Sequence, residues 1–206
     1  DEFANFELMS VLLGNPHGRV PHIVGSYARQ ALKDGLTLQD TKGFNPFKFG
    51  FGAASDSHNT AVPYRQDNYF GGHSIADGTI ETRMSGNLVG GMFDSRTEGT
   101  SGLTGVWAEE NTRASIFDAM ARRETFGVSG PRIKVRFFGG WDFDAGSISR
   151  PDWVKAAYAG GVPMGSDLRP GRGKAPTFLV WAVKDPTSGN LDRIQIVIGV
   201  GRSQRA

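Results

Sequence analysis

The residues best suited by type and spacing to do chemistry are Asp56 and His58, in Ser55-Asp56-Ser57-His58-Asn59-Thr60. In an extended tail, side chains two apart point to one side. A carboxylate and an imidazole so placed can hold one divalent metal or bridge neighbouring ones, and zinc, manganese and iron accept such mixed ligands. The same pair also fits an Asp capping the loop after a strand and a His on the surface, and Asp-x-His arises readily by chance. Asp67 and His73 flank an aromatic, glycine-rich stretch (Asp67-Asn68-Tyr69-Phe70-Gly71-Gly72-His73). They could line a substrate pocket, and ordinary loop polarity explains them equally well. Arg132, after Gly130-Pro131, could bind an anionic substrate or simply face solvent from a strand. Glu109 and Glu110 could face a metal, though pairing with a helix dipole accounts for them. His17 and His22, among Pro and Gly, read as surface residues, and Trp107, Trp141, Trp153 and Trp181 as packing.

Other chemistries are excluded by what the sequence lacks. It contains no Gly-x-Ser-x-Gly, Gly-x-Gly-x-x-Gly or His-Glu-x-x-His pattern. Gly171-Arg172-Gly173-Lys174 resembles a phosphate loop, but that pattern needs Gly at 168 and Ser or Thr at 175, where Leu168 and Ala175 stand. With Cys 0, there is no disulfide, thiolate nucleophile or Cys-ligated metal. The 23 basic and 21 acidic residues leave a net charge of +2. The high isoelectric point therefore reflects a flat titration curve and not a positive field, and nucleic acid is not an expected partner. No apolar run approaches the ~20 residues that span a bilayer, so no membrane partner is expected, and the acidic opening Asp1 to Glu7 is unlike a signal peptide.

The elements that would position these residues follow from periodicity. Gly14-Asn15-Pro16 breaks the apolar opening stretch. Ser26 caps a helix over 27–34 that Gly35 closes. Phe44-Asn45-Pro46 is a turn, and Phe47 to Ala54 alternates as a strand delivering Asp56 and His58. Residues 59–104 carry little periodicity and read as a functional loop or an irregular excursion. Asn111 caps a helix through Arg123 with Ile116, Phe117 and Met120 on its apolar face. Arg132 to Phe138 reads as a half-buried strand, Ile133, Val135 and Phe137 inward and Arg132, Lys134 and Arg136 outward. Thr177 to Lys184, apolar on both faces, reads as a central strand. A turn over 185–190 then leads to a strand from Arg193 to Val200, completing a hairpin.

Several blocks are similar to one known family. Phe47-Lys48-Phe49-Gly50-Phe51-Gly52-Ala53-Ala54-Ser55-Asp56-Ser57-His58 carries the likeness, with Asp67 to His73, Val106 to Ala119, Ser129 to Phe143 and Gly161 to Leu168. It continues through Lys174 to Phe178 and Asn190 to Gln195. Together these resemble a bacterial family of the PHP (polymerase and histidinol phosphatase) superfamily, related to carbaryl-hydrolase-like phosphoesterases, from about residue 26 to 197.

The resemblance implies a distorted α/β barrel with two or three divalent metals at its C-terminal rim, activating a water against a phosphoryl or related ester. Asp56 and His58 match the superfamily's last ligand motif and become metal-ligand candidates. The four histidines (His17, His22, His58, His73) include no His-x-His, the motif supplying most other ligands in that superfamily. The chain therefore reads as the C-terminal part of a PHP-like α/β barrel, residues 1–130, with an appended β-rich region, residues 131–206. The expected activity is that of a metal-dependent phosphoesterase-like hydrolase acting on a small-molecule ester, or of an incomplete part of one. The isolated chain is then expected to be a poor catalyst, and the missing barrel segment or another chain becomes a partner. The alternative is a non-catalytic structural or binding module. A bacterial origin implies cytoplasm or periplasm without choosing between them.

Overall fold

The computed structural model of the chain describes residues 11–12, 15–19, 27–55, 57, 65, 79–85, 101–171 and 173–199. They are mixed α/β, and the chain sorts into two compact units. One comprises residues 1–48, 55–100 and 195–206; the other comprises 49–54 and 101–194.

In the first unit, β1 (Val11–Leu12) pairs antiparallel with β2 (Asn15–Arg19), Val11 opposite Arg19 and Leu12 opposite Asn15. The break at Asn15-Pro16 thus turns the chain back as a strand instead of ending regular structure. Helix α1 (Ala28–Lys42) is longer than the sequence predicts, because Gly35 does not end it. Gly35 is buried inside the helix, where a Cβ would overlap the Asn45 side chain. Its glycine serves close packing, while Gly43 supplies the left-handed cap at φ 81°, donating to the Gln39 carbonyl at 3.1 Å. Asn45 also accepts the Phe47 N–H at 2.9 Å, fixing the expected turn. Ser26 lies outside the described residues. A short helix α2 (Ile80–Ser85) interrupts the stretch that reads as irregular.

The second unit holds two antiparallel sheets. Strands β3 (Leu103–Val106) and β4 (Thr125–Val128) pair from Leu103 opposite Val128 to Val106 opposite Thr125. Between them runs α3 (Arg113–Ala121), capped by Thr112, whose hydroxyl accepts the Ser115 N–H at 3.3 Å. Asn111 is therefore not the cap. Ala119 is fully buried on α3, whereas Phe117 and Met120, expected inward, are exposed. The helix stops before Arg123, which reverses the chain in the left-handed region at φ 64°.

The predicted strand over 47–54 is not one. Residues 49–54 run beside β3 and β4, tied by hydroxyls and not by a backbone ladder. Thr104 Oγ1 accepts the Ala53 N–H at 3.0 Å and donates to the Ala53 carbonyl at 2.9 Å; Thr125 Oγ1 donates to the Phe51 carbonyl at 2.6 Å. Threonine hydroxyls thus satisfy the backbone polar groups a neighbouring strand would otherwise pair.

The larger sheet has the order β6 (Gly161–Pro163), β5 (Lys134–Gly140), β7 (Thr177–Val183), all antiparallel. β5 is the central strand and β7 an edge, reversing the expectation for 177–184. Residues 191–199 form no strand, so the hairpin predicted from 177–184 and 193–200 does not form there, and Ile194, Ile196, Val197 and Ile198 are exposed. Over the sheet lies α4 (Trp153–Gly160), a helix the sequence reading missed, preceded by a 3-10 turn at Ser147–Ser149. Its Ala157 is fully buried against Phe138 and Leu179, and Phe143 and Trp153 close the cluster.

This core inverts the expected polarity of β5. Phe138, 1% exposed, shares a strand face with Arg136, because side chains alternate. The residues opposite them on β7 are Trp181 and Leu179. The face taken as solvent-side is the one α4 covers. Phe137 lies on the other face, stacked on Phe178 at 5.3 Å.

Among the described residues no sheet closes on itself, and no helix is long and apolar enough to cross a membrane.

Candidate functional site

Asp56, His58, Asp67 and His73 lie outside the described residues. Their neighbours Ser55 and Ser57 are described, with the Ser57 N–H donating to Ser55 Oγ at 3.2 Å. Arg132 has an exposed side chain, and its backbone N–H donates to Asp185 Oδ2 at 2.8 Å. Asp185 also accepts the Thr187 N–H (2.9 Å) and hydroxyl (2.8 Å). These bonds, with those from the backbone N–H groups of Arg132 and Thr187 leading, hold its carboxyl down at about 2. Asp185 thus pins the start of β5 to the turn after β7. Among the described residues, no three His, Asp or Glu side chains group as a metal site would require.

The described residues do form a cleft that sequence reasoning missed. It lies wholly in the second unit, with a volume of about 600 Å³. β3 leads into Trp107, whose indole N–H donates to the Val135 carbonyl at 2.8 Å, so the ring is a fixed wall. Over that ring sits the Arg136 guanidinium, 3.7 Å from the centroid. One of its nitrogens donates to the Tyr158 hydroxyl at 3.3 Å.

Tyr158, from α4, in turn donates to the Glu124 carboxylate. Glu124 is 3% exposed, and Arg122 approaches its other oxygen at 3.5 Å. Burial, and then the bond to Glu124, push the Tyr158 phenol above its ordinary range. Pro163 and Ser166 complete the lining beside Ala108 and Glu109. Close by, Gly165 at φ 79° lets the chain touch the Arg123 carbonyl, a contact any Cβ would block.

Two features hid the cleft. Alternation over 132–138 assigned Arg136 to solvent, and the Ala-rich 153–160 segment was not read as a helix. The legible signal was Arg136 two residues before a large apolar side chain, Phe138, which places both on one strand face.

A family model described as "Protein of unknown function (DUF3604)" matches residues 1–205. The chain belongs to that family. No curated protein and no solved structure matches it. The description of this family names no reaction, so chemistry must be argued from the side chains.

Proposed function

We propose that this DUF3604 chain is, or forms part of, a metal-dependent hydrolase acting on a phosphoester or similar ester, built on a PHP-like α/β barrel. The observation that carries the reading is Asp56-x-His58, which begins two residues after a segment whose backbone is bonded by the Thr104 and Thr125 hydroxyls. Two donors separated by one residue can share an ion wherever the chain runs extended.

The donor set fits a divalent ion: one hard carboxylate and one imidazole suit zinc, manganese or iron. A bound ion of this kind polarises an ester oxygen and lowers the pKa of water. Asp56 and His58 would hold it, with the remaining ligands supplied by other residues or by a partner chain. Asp67 and His73 would line a substrate pocket; Arg132, exposed at the approach to β5, is a separate candidate for meeting an anionic substrate group.

Metal analysis of the purified chain tests the reading, with Asp56→Ala and His58→Ala beside it. Stoichiometric manganese or zinc in the wild type, lost in both variants, is the expected result. Equally little metal in all three proteins would remove the basis for the site. Hydrolysis of an aryl phosphate with added manganese then measures activity.

A further inference from the structure

We propose that the cleft between Trp107 and Tyr158 binds a small organic monocarboxylate, its carboxylate on Arg136 and its apolar body against Trp107 and Pro163. The inference does not rest on the metal reading, since its argument uses neither Asp56 nor His58.

The argument starts from unequal partners of the two arginines. Arg122 and the buried Glu124 already face one another at 3.5 Å, and Tyr158 completes the Glu124 contacts. That carboxylate is occupied and does not neutralise Arg136. Among the described residues no carboxylate pairs with Arg136, which is half-buried and makes a single hydrogen bond, to Tyr158. A guanidinium carries five N–H donors in a planar fork. Here the fork is oriented in advance, one face resting on an indole that is itself tied to Val135. Such an arrangement matches the two oxygens of a planar carboxylate.

Charge and size narrow the ligand further. With Arg122 and Glu124 cancelling, the interior offers one positive charge, and Glu109 adds a negative one at the rim. A monoanion pairs with that one guanidinium, whereas the second negative charge of a phosphate dianion finds no further unpaired cation among the described lining residues and meets Glu109. A cleft of about 600 Å³ far exceeds a bare carboxylate, and Trp107, Ala108 and Pro163 give its walls an apolar surface.

Calorimetric titration of the full chain with benzoate, benzamide and phenyl phosphate tests the proposal, on protein stripped of metal and dialysed so that the proposed metal site takes no phosphate ester. Benzoate should bind saturably, and benzamide, which keeps the ring and loses the charge, at least about tenfold more weakly. Phenyl phosphate should also bind more weakly than benzoate. Arg136→Gln should weaken benzoate by a similar factor, and Arg136→Lys should weaken it too by losing the planar fork. Asp56→Ala should leave benzoate binding unchanged, which separates this site from the metal ligands. No saturable heat up to about 10 mM benzoate, beyond the millimolar range of weak sites, would overturn the proposal. So would equal binding of benzamide or phenyl phosphate, or wild-type affinity in Arg136→Gln. Should Arg136→Gln fail to fold, Arg136→Lys and the three-probe ranking on the wild type decide.

Discussion

Helices α1 and α4 reach stability by opposite routes. α1 has 15 residues and only Gly35 buried, with Leu32 and Leu36 well exposed. It is held by local devices: the Gly43 cap and the Gln30–Asp34 bond at 2.8 Å. α4 has eight residues, too few to persist alone, and no side-chain hydrogen bond at its N-cap. It exists because Trp153, Ala157 and Tyr158 close over Phe138, with ring contacts at 6.1 Å from Trp153 and 5.0 Å from Tyr158. One helix is written in neighbouring residues, and the other in residues far away along the chain.

The sharpest way to break the contrast is Phe138→Ala. Removing a 1% exposed aromatic from the core should cost about 3–5 kcal/mol in urea unfolding. Hydrogen exchange should show α4 amides deprotected while those of α1 keep their protection; equal loss in both would refute the division. Tyr158→Phe deletes the hydroxyl that serves the buried Glu124. It should destabilise by about 1–3 kcal/mol, again read at α4 and not at α1.

Gly43→Ala tests the other side. Position 43 has open space around a left-handed backbone, so the cost is conformational, about 1 kcal/mol, and should appear as fraying of α1 alone. The last effect is read in the acid range. Asp185 has its carboxyl held at about 2 in the folded chain, below the ordinary Asp value of about 3.9. Its contribution is therefore fully present above pH about 4 and is lost as pH falls through about 2. In Asp185→Asn that part of the acid dependence should vanish from the melting temperature, with α1 exchange unaffected.

The same division explains what could be read in advance. The turn at Asn45, the strand character of 134–138 and 177–183, and the turn after Asp185 are local patterns, and they hold. Gly35 misled because glycine marks a helix end by conformation, yet here it serves a contact with Asn45 ten residues on. The segment 49–54 misled because its alternating phenylalanines imply burial. Phe49 and Phe51 instead meet edge to face at 5.4 Å, while hydroxyls of Thr104 and Thr125 fix the backbone. No local window contains those partners. Within the cleft, Arg136 alone stood in a predicted strand, and it was assigned the wrong face because Ile133 and Val135 outvoted Phe138. Glu124 and Tyr158, 34 residues apart in sequence, form a pair that only tertiary structure reveals.

The packing of α4 has an optical consequence. Trp153 and Trp181 lie with ring centroids 6.1 Å apart and planes inclined by 44°. Two indoles that near and that oblique couple their electronic transitions, so the folded chain should show a split ultraviolet circular-dichroism band. That band requires α4 to be seated on β7 and is indifferent to α1. The protein thus carries an intrinsic spectroscopic signal for one helix only, without any added label.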